Sequence, residues 1–232
     1  MSERINKIFS KISSSYDLMN HLLSFGVDIS WRKKTVSEII KMSDGADKLK
    51  ILDIATGTGD LAISLSEEFA KYGKSAKIVG MDFNEDMLRI GRDKAAQKGT
   101  RIVFEKCDAL HMPYENGSFD MLTSGFALRN FDDLSKFASE SYRVLRKGGG
   151  FVFVDMAMPN EKSKRYFFEI YSLYMRFLGF FVDNGSYKWL VHSIKTFDKK
   201  GLQRKLKSVG FKEIKQLELT SGIGYIILGK KP

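Results

Sequence analysis

The chain has 232 residues, of which 43% are hydrophobic, so it can fold around one sizeable core and we expect a single domain. Its one cysteine excludes an intramolecular disulfide and a cysteine-cluster zinc site, and no cluster of ligating residues predicts a metal. The net charge of +10 comes from dispersed basic pairs and not from an arginine-rich run, which favours a solvated surface over a nucleic-acid partner. We expect neither a signal peptide nor a membrane span, and therefore a cytoplasmic protein with room for contact at a membrane surface.

The first 42 residues predict a helical cap that precedes the first strand. Apolar residues from Ile5 to Ile12 are spaced for one helix face, and a second helix is predicted over 27–42. Asp28 or Ser30 is placed to cap that second helix. Its buried side would consist of Trp31, Val36, Ile39 and Ile40.

The stretch from Lys50 to Leu61 predicts a buried strand, a glycine turn and the start of a helix. The apolar run from Ile51 to Ala55 is typical of a strand that is covered on both faces. Gly57 and Gly59 allow a sharp turn and a close approach of the backbone to a ligand. Because a helix is predicted to begin at about Gly59 or Asp60, this turn indicates a nucleoside-binding site.

Acidic residues at this turn favour a cationic ligand that carries no phosphate. The pattern Gly57-x-Gly59-x-x-Ala62 also fits the dinucleotide fingerprint, whose pyrophosphate lies on a helix N-terminus. Asp60 in the first helical turn and Asp53 at the strand end would repel such a phosphate. The sulfonium, amino group and ribose of S-adenosylmethionine fit this charge better, while a structural turn in another α/β protein stays the alternative.

Strands alternate with helices further along the chain, which is typical of a doubly wound, mostly parallel sheet. Strands are predicted over 76–81, 101–106, 119–125 and 151–156, with a helix over 134–145 and a turn at 147–150. Asp82 ends the second strand, where an acid can accept both hydroxyls of an adenosine ribose, and Asn84 is placed to cap the next helix. Asp108 follows the third strand and can reach an adenine amino group, or else cap a turn. Two strands, 213–219 and 224–228, predict a hairpin that leaves one antiparallel strand in the sheet.

Five segments spread along the chain form recognisable motifs. They are YDLMNHLLSFG at 16–26, LDIATGTGDLA at 52–62, FALRN at 126–130, YRVLRKGG at 142–149 and SYKWL at 186–190. Together they resemble the quinone C-methyltransferases of menaquinone and ubiquinone biosynthesis, within the class I S-adenosylmethionine-dependent methyltransferases. The resemblance implies one Rossmann-like domain over 1–232 with a seven-stranded sheet, a helical cap over 1–42 and a helical substrate-lid insertion over 160–197.

The resemblance also implies where the cofactor binds. It assigns contacts to Thr58, Asp82, Asp108 and Ala109, which join Asp53, Gly57 and Gly59 of the glycine turn. Gly125 stands where members of the family often carry a serine, so backbone or water would replace a side-chain hydrogen bond to the cofactor there. We expect S-adenosylmethionine as the methyl donor and S-adenosylhomocysteine as the product.

The implied substrate is a lipophilic, polyprenylated quinol that is methylated at a ring carbon, as when demethylmenaquinol becomes menaquinol. Ring type and tail length stay open. An aromatic-rich helix over 166–182 offers a place for such a molecule, although core packing explains many of these aromatics equally well. Substrate contacts are expected at Tyr16, His21, Phe126, Tyr171 and Tyr187.

Methylation of a ring carbon requires that a neighbouring phenol loses its proton. Arg129 is expected to stabilise the phenolate, and Asn130 to orient the water that takes the proton. The alternative is a surface arginine beside a turn residue. His192, at a position where relatives usually carry an acid, is the rival base, and His21 has a suitable ordinary pKa as well.

Other functions stay open at this point. A methyltransferase for another small molecule, a lipid or an RNA would share the cofactor half, and an RNA substrate would require a basic groove beside the site. A non-enzymatic S-adenosylmethionine-binding protein would keep Asp82 but lack a cavity beside the methyl group. We further expect segments 5–25 and 166–194 to cover the substrate pocket, weak association with anionic membranes, and a homodimer as one open oligomeric state.

Overall fold

The structure, a computed structural model, describes residues 10, 26–43, 48–159, 161, 164–166, 168–174 and 184–232, with the backbone alone at 184, 186 and 187. The helices are α1 (Val27–Met42), α2 (Asp60–Lys71), α3 (Glu85–Gln97), α4 (Leu134–Val144), α5 (Asn184–Thr196) and α6 (Lys199–Ser208). The strands are β1 (Lys48–Ile54), β2 (Ser75–Asp82), β3 (Ile102–Lys106), β4 (Phe119–Gly125), β5 (Leu145–Met156), β6 (Lys212–Leu219) and β7 (Gly224–Lys230). Short 3-10 turns cover Leu128–Asn130 and Thr220–Gly222, and residues 164–166 and 168–174 are helical.

These seven strands form one sheet in the order β3-β2-β1-β4-β5-β7-β6. The pairs among β1 to β5 are parallel, and β7 runs antiparallel to both β5 and β6. The predicted fold class, the hairpin of the last two strands and the single antiparallel strand are therefore confirmed. The strand order reverses between β1 and β4, and ligands of doubly wound folds bind at such a switch point, beside the carboxyl ends of the strands.

Both faces of the sheet are covered, which is why its central strands are continuous apolar runs. On one face, Phe153 of β5 packs against Phe137 of α4, with 5.5 Å between ring centroids. On the other face, Val152 and Val154 of β5 belong to a core cluster with residues of α1 and α2, among them Trp31. The helix predicted over 27–42 is thus a structural part of the core and not only a cap.

A cap prediction and a turn prediction were wrong. The N-cap residue of α1 is Gly26, with φ +73°, and no side chain caps the helix; Asp28 is buried and accepts a 2.7 Å hydrogen bond from Arg32 instead. The predicted turn at 147–150 lies inside β5, which follows α4 directly. Backbone hydrogen bonds with Lys231 at the chain end hold this glycine-rich run in the sheet.

Candidate active site

The glycine turn between β1 and α2 has the left-handed backbone that glycine adopts most easily. Gly57 and Gly59 have φ of +56° and +79°, and a Cβ at Gly59 would lie 2.9 Å from the ring of Phe104. Ala55 also has a positive φ, +55°, at the end of β1. Because α2 begins at Asp60 as predicted, its first turn faces the carboxyl edge of the sheet.

Asp82 connects this turn to the end of β2. Its side chain is buried, and its two oxygens accept 2.8 Å hydrogen bonds from the backbone N–H groups of Gly57 and Asn84. Burial raises the pKa of the carboxyl, against the effect of these backbone donors. Each carboxylate oxygen can accept a second hydrogen bond, so the group retains the capacity to bind a ribose. Asn84 caps α3 through a 3.0 Å bond from the N–H of Met87, as predicted.

Asp53 is fully buried beneath the same turn. One of its oxygens accepts a 2.5 Å hydrogen bond from the hydroxyl of Thr56, and the other has no hydrogen-bond partner. Burial, with a further contribution from the negative charge of Asp82, raises the pKa of Asp53 to about 7. Asp53 therefore carries a full charge only above neutral pH.

Asp60 does not present the free negative charge that the sequence indicates. Arg32 of α1 lies 3.2 Å from one of its oxygens, and Lys94 of α3 forms an ion pair with the other. Both partners are distant in sequence, so residue spacing gave no sign of them. Lys94 also donates a 3.3 Å hydrogen bond to the hydroxyl of Thr58, which is itself buried. Of the acids at this turn, Asp60 is thus already neutralised.

A small indentation beside Asp82 brings three predicted cofactor residues together. It is lined by Ala55, Met81, Asp82, Phe83, Cys107, Asp108, Ala109 and Phe131. Asp108 accepts a 3.0 Å hydrogen bond from the N–H of Leu110 and lies 3.6 Å from a ring nitrogen of His111. Asp108 therefore caps a turn, as one of its two predicted roles requires. It also lines the indentation, where its other predicted role, a contact with the adenine amino group, would place it.

Arg143, which the sequence did not single out for a role, fixes the loop that follows β3. Its guanidinium donates to the backbone oxygens of Met112 and Tyr114 at 2.7 and 2.5 Å, and to the side chain of Asn116 at 3.2 Å. Glu140 pairs with it at 2.8 Å and accepts a 2.8 Å bond from the N–H of Met112. Since Asp108 and Ala109 belong to this loop, α4 sets the position of the adenine side of the site.

Gly125 ends β4 at the switch point. A Cβ on Gly125 would lie 3.3 Å from a methyl group of Leu61 in α2, so a serine would press on that helix. The glycine therefore allows close packing of β4 against α2. Whether backbone or water contacts the cofactor here stays a prediction.

Arg129 and Asn130 lie in the 3-10 turn after β4, and both are buried. Arg129 forms an ion pair with Asp155 of β5, and its backbone N–H donates to the same carboxylate at 3.3 Å. The alternative of a surface arginine is therefore wrong. Asp155 was missed, although an acid within the apolar run FVFVDM was a visible signal. The side-chain oxygen of Asn130 is buried without a hydrogen-bond partner.

His192 lies on α5, and its side chain is exposed. Among the described side chains of α5, Val191, Ser193 and Ile194 are buried, and α5 packs against the turn that carries Arg129. An exposed imidazole is poorly placed to take a proton in a water-excluded site, so the structure does not favour the rival base.

The predicted substrate residues are only partly described. Phe126 has a positive φ of +61°. The guanidinium carbon of Arg32 lies 5.7 Å from the centroid of the Phe126 ring, and the ring centroids of Phe126 and Trp31 are 6.1 Å apart. Burial raises the pKa of Tyr171 to about 12, with smaller contributions from Tyr174 and Asp28. Tyr16 and His21 lie outside the described residues, as does the side chain of Tyr187.

The sequence profile of the ubiE/COQ5 methyltransferase family matches residues 1–231. The chain belongs to this family. As a ubiE/COQ5 family member it is a methyltransferase, and S-adenosylmethionine is its methyl donor.

Two curated relatives are similar to this ubiE/COQ5 family member over almost its whole length. A protein of Thermus thermophilus named demethylmenaquinone methyltransferase is 38% identical, covering 97% of this chain and 100% of the relative. A protein of Geobacter sulfurreducens named ubiquinone/menaquinone biosynthesis C-methyltransferase UbiE is also 38% identical, covering 99% of this chain and 89% of the relative.

Among solved structures, phosphoethanolamine N-methyltransferase 2 of Haemonchus contortus, in complex with S-adenosyl-L-methionine, shares the fold. The TM-score is 0.62 at 16% identity, and the match covers 86% of this chain and 52% of that one. At this identity the likeness supports the architecture of the ubiE/COQ5 family member and says nothing about its substrate.

Proposed function

We propose that this enzyme transfers the methyl group of S-adenosylmethionine to a ring carbon of a polyprenylated quinol, in a reaction of the demethylmenaquinol to menaquinol type. The observation that carries the proposal is the 38% identity, over 97% of the chain, to the relative named demethylmenaquinone methyltransferase. A second relative of equal identity bears a name that includes ubiquinone biosynthesis, so a benzoquinol is the competing ring.

The cofactor would bind along the carboxyl ends of β1, β2 and β3. Asp82 would accept the ribose hydroxyls on its remaining lone pairs, and the loop held by Arg143 would enclose the adenine. The partly ionised Asp53 below the turn supplies negative charge near the amino group and sulfonium. This end of the site therefore suits a cationic nucleoside.

The reacting ring would lie beside the turn that carries Arg129 and Asn130. A phenolate formed on the ring is stabilised by a guanidinium that is fixed in advance and shielded from water. Asn130 has a free acceptor oxygen with which to orient a water that receives the phenolic proton. The ring carbon next to the phenolate attacks the methyl group in line with the sulfonium, and S-adenosylhomocysteine leaves. Loss of the proton from that carbon and protonation of the oxygen then restore the aromatic quinol, and the enzyme supplies chiefly proximity and orientation.

The position of a basic groove, on the edge of the sheet opposite the cofactor residues, argues against an RNA substrate. A groove in the described part of the chain contains Lys71, Lys74, Lys98 and Arg101. It lies at the amino ends of β2 and β3, opposite the cofactor edge. A nucleic acid bound there would therefore be kept away from the methyl group.

The proposal is tested by incubating the enzyme with methyl-labelled S-adenosylmethionine and a panel of demethylated quinols, followed by identification of the products. We expect label in a naphthoquinol ring carbon. Label only in a benzoquinol would correct the ring, and label in none of the quinols would refute the proposal. Calorimetry of S-adenosylhomocysteine binding checks that the preparation is competent.

We also propose that the quinol is reached from an anionic membrane surface. Tyr166, Ile170 and Leu173 recur at helical spacing and are 67%, 50% and 64% exposed. The basic Arg165 adjoins them, and the neighbouring Lys164 is paired with Glu161 at 2.6 Å. Such a face suits the boundary between lipid headgroups and acyl chains. No helix among the described residues combines the length and apolar character needed to cross a bilayer.

Co-sedimentation with vesicles of anionic phospholipid tests this contact. Leu173→Glu should abolish binding. Tyr72→Glu is the control and should not, because Tyr72 is equally exposed, at 63%, but lies at the end of α2 and outside this face. Equal binding by the two variants, or none by the unaltered protein, would contradict the contact.

A further inference from the structure

The guanidinium of Arg32 lies where α1, the start of α2 and the end of β4 meet. One of its nitrogens donates a 2.7 Å hydrogen bond to Asp28, one helical turn earlier in α1, and another lies 3.2 Å from Asp60, the first residue of α2. Arg32 and Asp28 are both buried, at 7% and 4% exposed. Because a guanidinium presents its donors in a rigid, planar fork, one that spans two carboxylates fixes their separation. Arg32 therefore fixes where α2 begins relative to α1.

Asp60 extends this contact into the glycine turn. Its other oxygen is paired with Lys94 of α3, which also donates a 3.3 Å hydrogen bond to the hydroxyl of Thr58. The start of α2 is thus held by one cation from each of two helices. Thr58 is a buried residue of the glycine turn and an expected cofactor contact. Any movement of Asp60 is therefore passed to the turn that receives the cofactor.

Phe126 is the third contact of the same guanidinium. The centroid of its ring is 5.7 Å from the guanidinium carbon of Arg32, within the range of a cation–π interaction. Phe126 follows β4 at the switch point, with φ +61°, and its backbone N–H donates a 2.8 Å hydrogen bond to the oxygen of Val154 in β5. A phenylalanine rarely adopts this backbone conformation, and residues that do are concentrated where proteins hold ligands. The conformation therefore agrees with the substrate contact expected of Phe126.

From these three contacts we propose that Arg32 is a positioning residue that couples the cofactor turn to the substrate side of the active site. Its ion pair with Asp60 holds the start of α2, and its cation–π contact holds the ring of Phe126. Unbroken chains of ion pairs and packed side chains are one means by which sites influence each other. A cofactor that orders the glycine turn thereby orders Phe126 for the quinol. The inference rests on the proposed function, because it takes Phe126 to contact the quinol.

A double-variant cycle tests this link without a quinol. Phe126→Leu removes the ring and should weaken binding of S-adenosylhomocysteine, measured by calorimetry, about threefold, as for the loss of one cation–π contact. In an Arg32→Met background the same change should have no effect, because the charge that transmits it is gone. Lys94→Met is the matched control: it removes the other cation paired with Asp60 but leaves Arg32 over Phe126. It should weaken binding and keep the threefold effect of Phe126→Leu.

A second measurement tests the coupling between the two ligands. S-adenosylhomocysteine has no methyl group to transfer, so it forms a stable ternary complex with the demethylated quinol. It should tighten binding of that quinol to the unaltered protein about fivefold. This gain should disappear in Arg32→Met and persist in Lys94→Met. If Arg32 had only a structural role, its loss would lower the melting temperature and leave the gain unchanged.

An equal effect of Phe126→Leu in the unaltered and Arg32→Met backgrounds would overturn the proposal, as would a quinol affinity that S-adenosylhomocysteine does not change. Arg32→Met removes the 2.7 Å partner of the buried Asp28, so if that variant does not fold, the cycle is measured with Asp28→Asn in every member. If the unaltered enzyme neither binds nor methylates a quinol, the proposed function fails. The cycle on S-adenosylhomocysteine alone then decides whether Arg32 links Phe126 to the cofactor turn.

Discussion

The two halves of the carboxyl edge hold their buried acids in different ways. In the cofactor half, Asp53 and Asp82 accept hydrogen bonds from a hydroxyl and from backbone N–H groups, all of them neutral. In the catalytic half, Asp155 is paired with the guanidinium of Arg129. Neutral donors leave the charge of an acid to be balanced by a ligand, whereas the charge of Asp155 is already balanced by Arg129, whose guanidinium it holds in place. The cofactor half is therefore built to receive a cation, and the catalytic half is built to hold one of its own.

The largest effect is expected from breaking the ion pair. Arg129→Ala should lower the single-turnover rate by about 10²–10³, because phenolate stabilisation is lost, and leave S-adenosylmethionine affinity almost unchanged. It should also reduce the free energy of unfolding by about 3–5 kcal/mol, since Asp155 is left buried without a counter-charge. Rapid-quench kinetics and urea unfolding measure the two effects.

A double variant separates the two consequences of that change. Arg129→Ala combined with Asp155→Ala removes both charges and should recover most of the stability but none of the rate. A recovered rate in the double variant would show that the arginine serves only to neutralise Asp155.

A smaller effect is expected at Asp82. Asp82→Asn keeps the size of the side chain but removes the charge, and should weaken S-adenosylmethionine binding by about 1.5–3 kcal/mol, or roughly 10- to 150-fold. Isothermal calorimetry measures the affinity. Asp93→Asn is the control, because that acid is exposed on α3, and an equal loss for both variants would count against a special role for Asp82.

The pH dependence of cofactor binding should sharpen the contrast. With its pKa raised to about 7, Asp53 is protonated in the free enzyme at pH 6 and ionised at pH 8. A cation favours the ionised form, so affinity for S-adenosylmethionine should rise about tenfold over this range. The free energy of unfolding of the free enzyme should fall as the pH rises toward 7. An acid whose pKa is raised by folding favours the folded state while it is protonated, and this stabilisation is lost when it ionises.

Asp53→Asn provides the control for both measurements. It should make the affinity for S-adenosylmethionine nearly independent of pH between 6 and 8. It should also remove the fall in the free energy of unfolding that accompanies ionisation of Asp53. A profile that stays steep in this variant would assign the titration to another group.

The smallest effect is expected at His192. Because its imidazole is exposed on α5, His192→Ala should change the single-turnover rate by less than about twofold. A large loss with unchanged cofactor affinity would return the role of base to the histidine.

Local signals were enough to predict much of the cofactor half. The positive φ at Gly57 and Gly59, the cap at Asn84 and the acid at the end of β2 each depend on residues within a few positions of one another. Such features follow from the spacing of glycines, caps and apolar residues, which a sequence states directly.

Pairs between distant elements were beyond the same reasoning. Arg32 neutralises Asp60 from 28 positions away, and Asp155 is 26 positions from Arg129. Their approach depends on how α1 packs on α2 and how β4 pairs with β5, and neither arrangement leaves a periodic signal. For this reason the free charge assigned to Asp60 was wrong, and the enclosure of Arg129 was not foreseen.

The indole of Trp31 connects α1 with the turn and strand that follow β6. It donates a 2.8 Å hydrogen bond to the hydroxyl of Thr220, 189 residues away, and its ring fills the space beside Gly224, where a Cβ would lie 2.7 Å from it. During synthesis α1 leaves the ribosome early, whereas Thr220 and Gly224 follow β1 to β6, so these two contacts form only after six of the seven strands have been made. Until then the tryptophan lacks these two contacts, and in a Trp189→Phe background its fluorescence should report when they form.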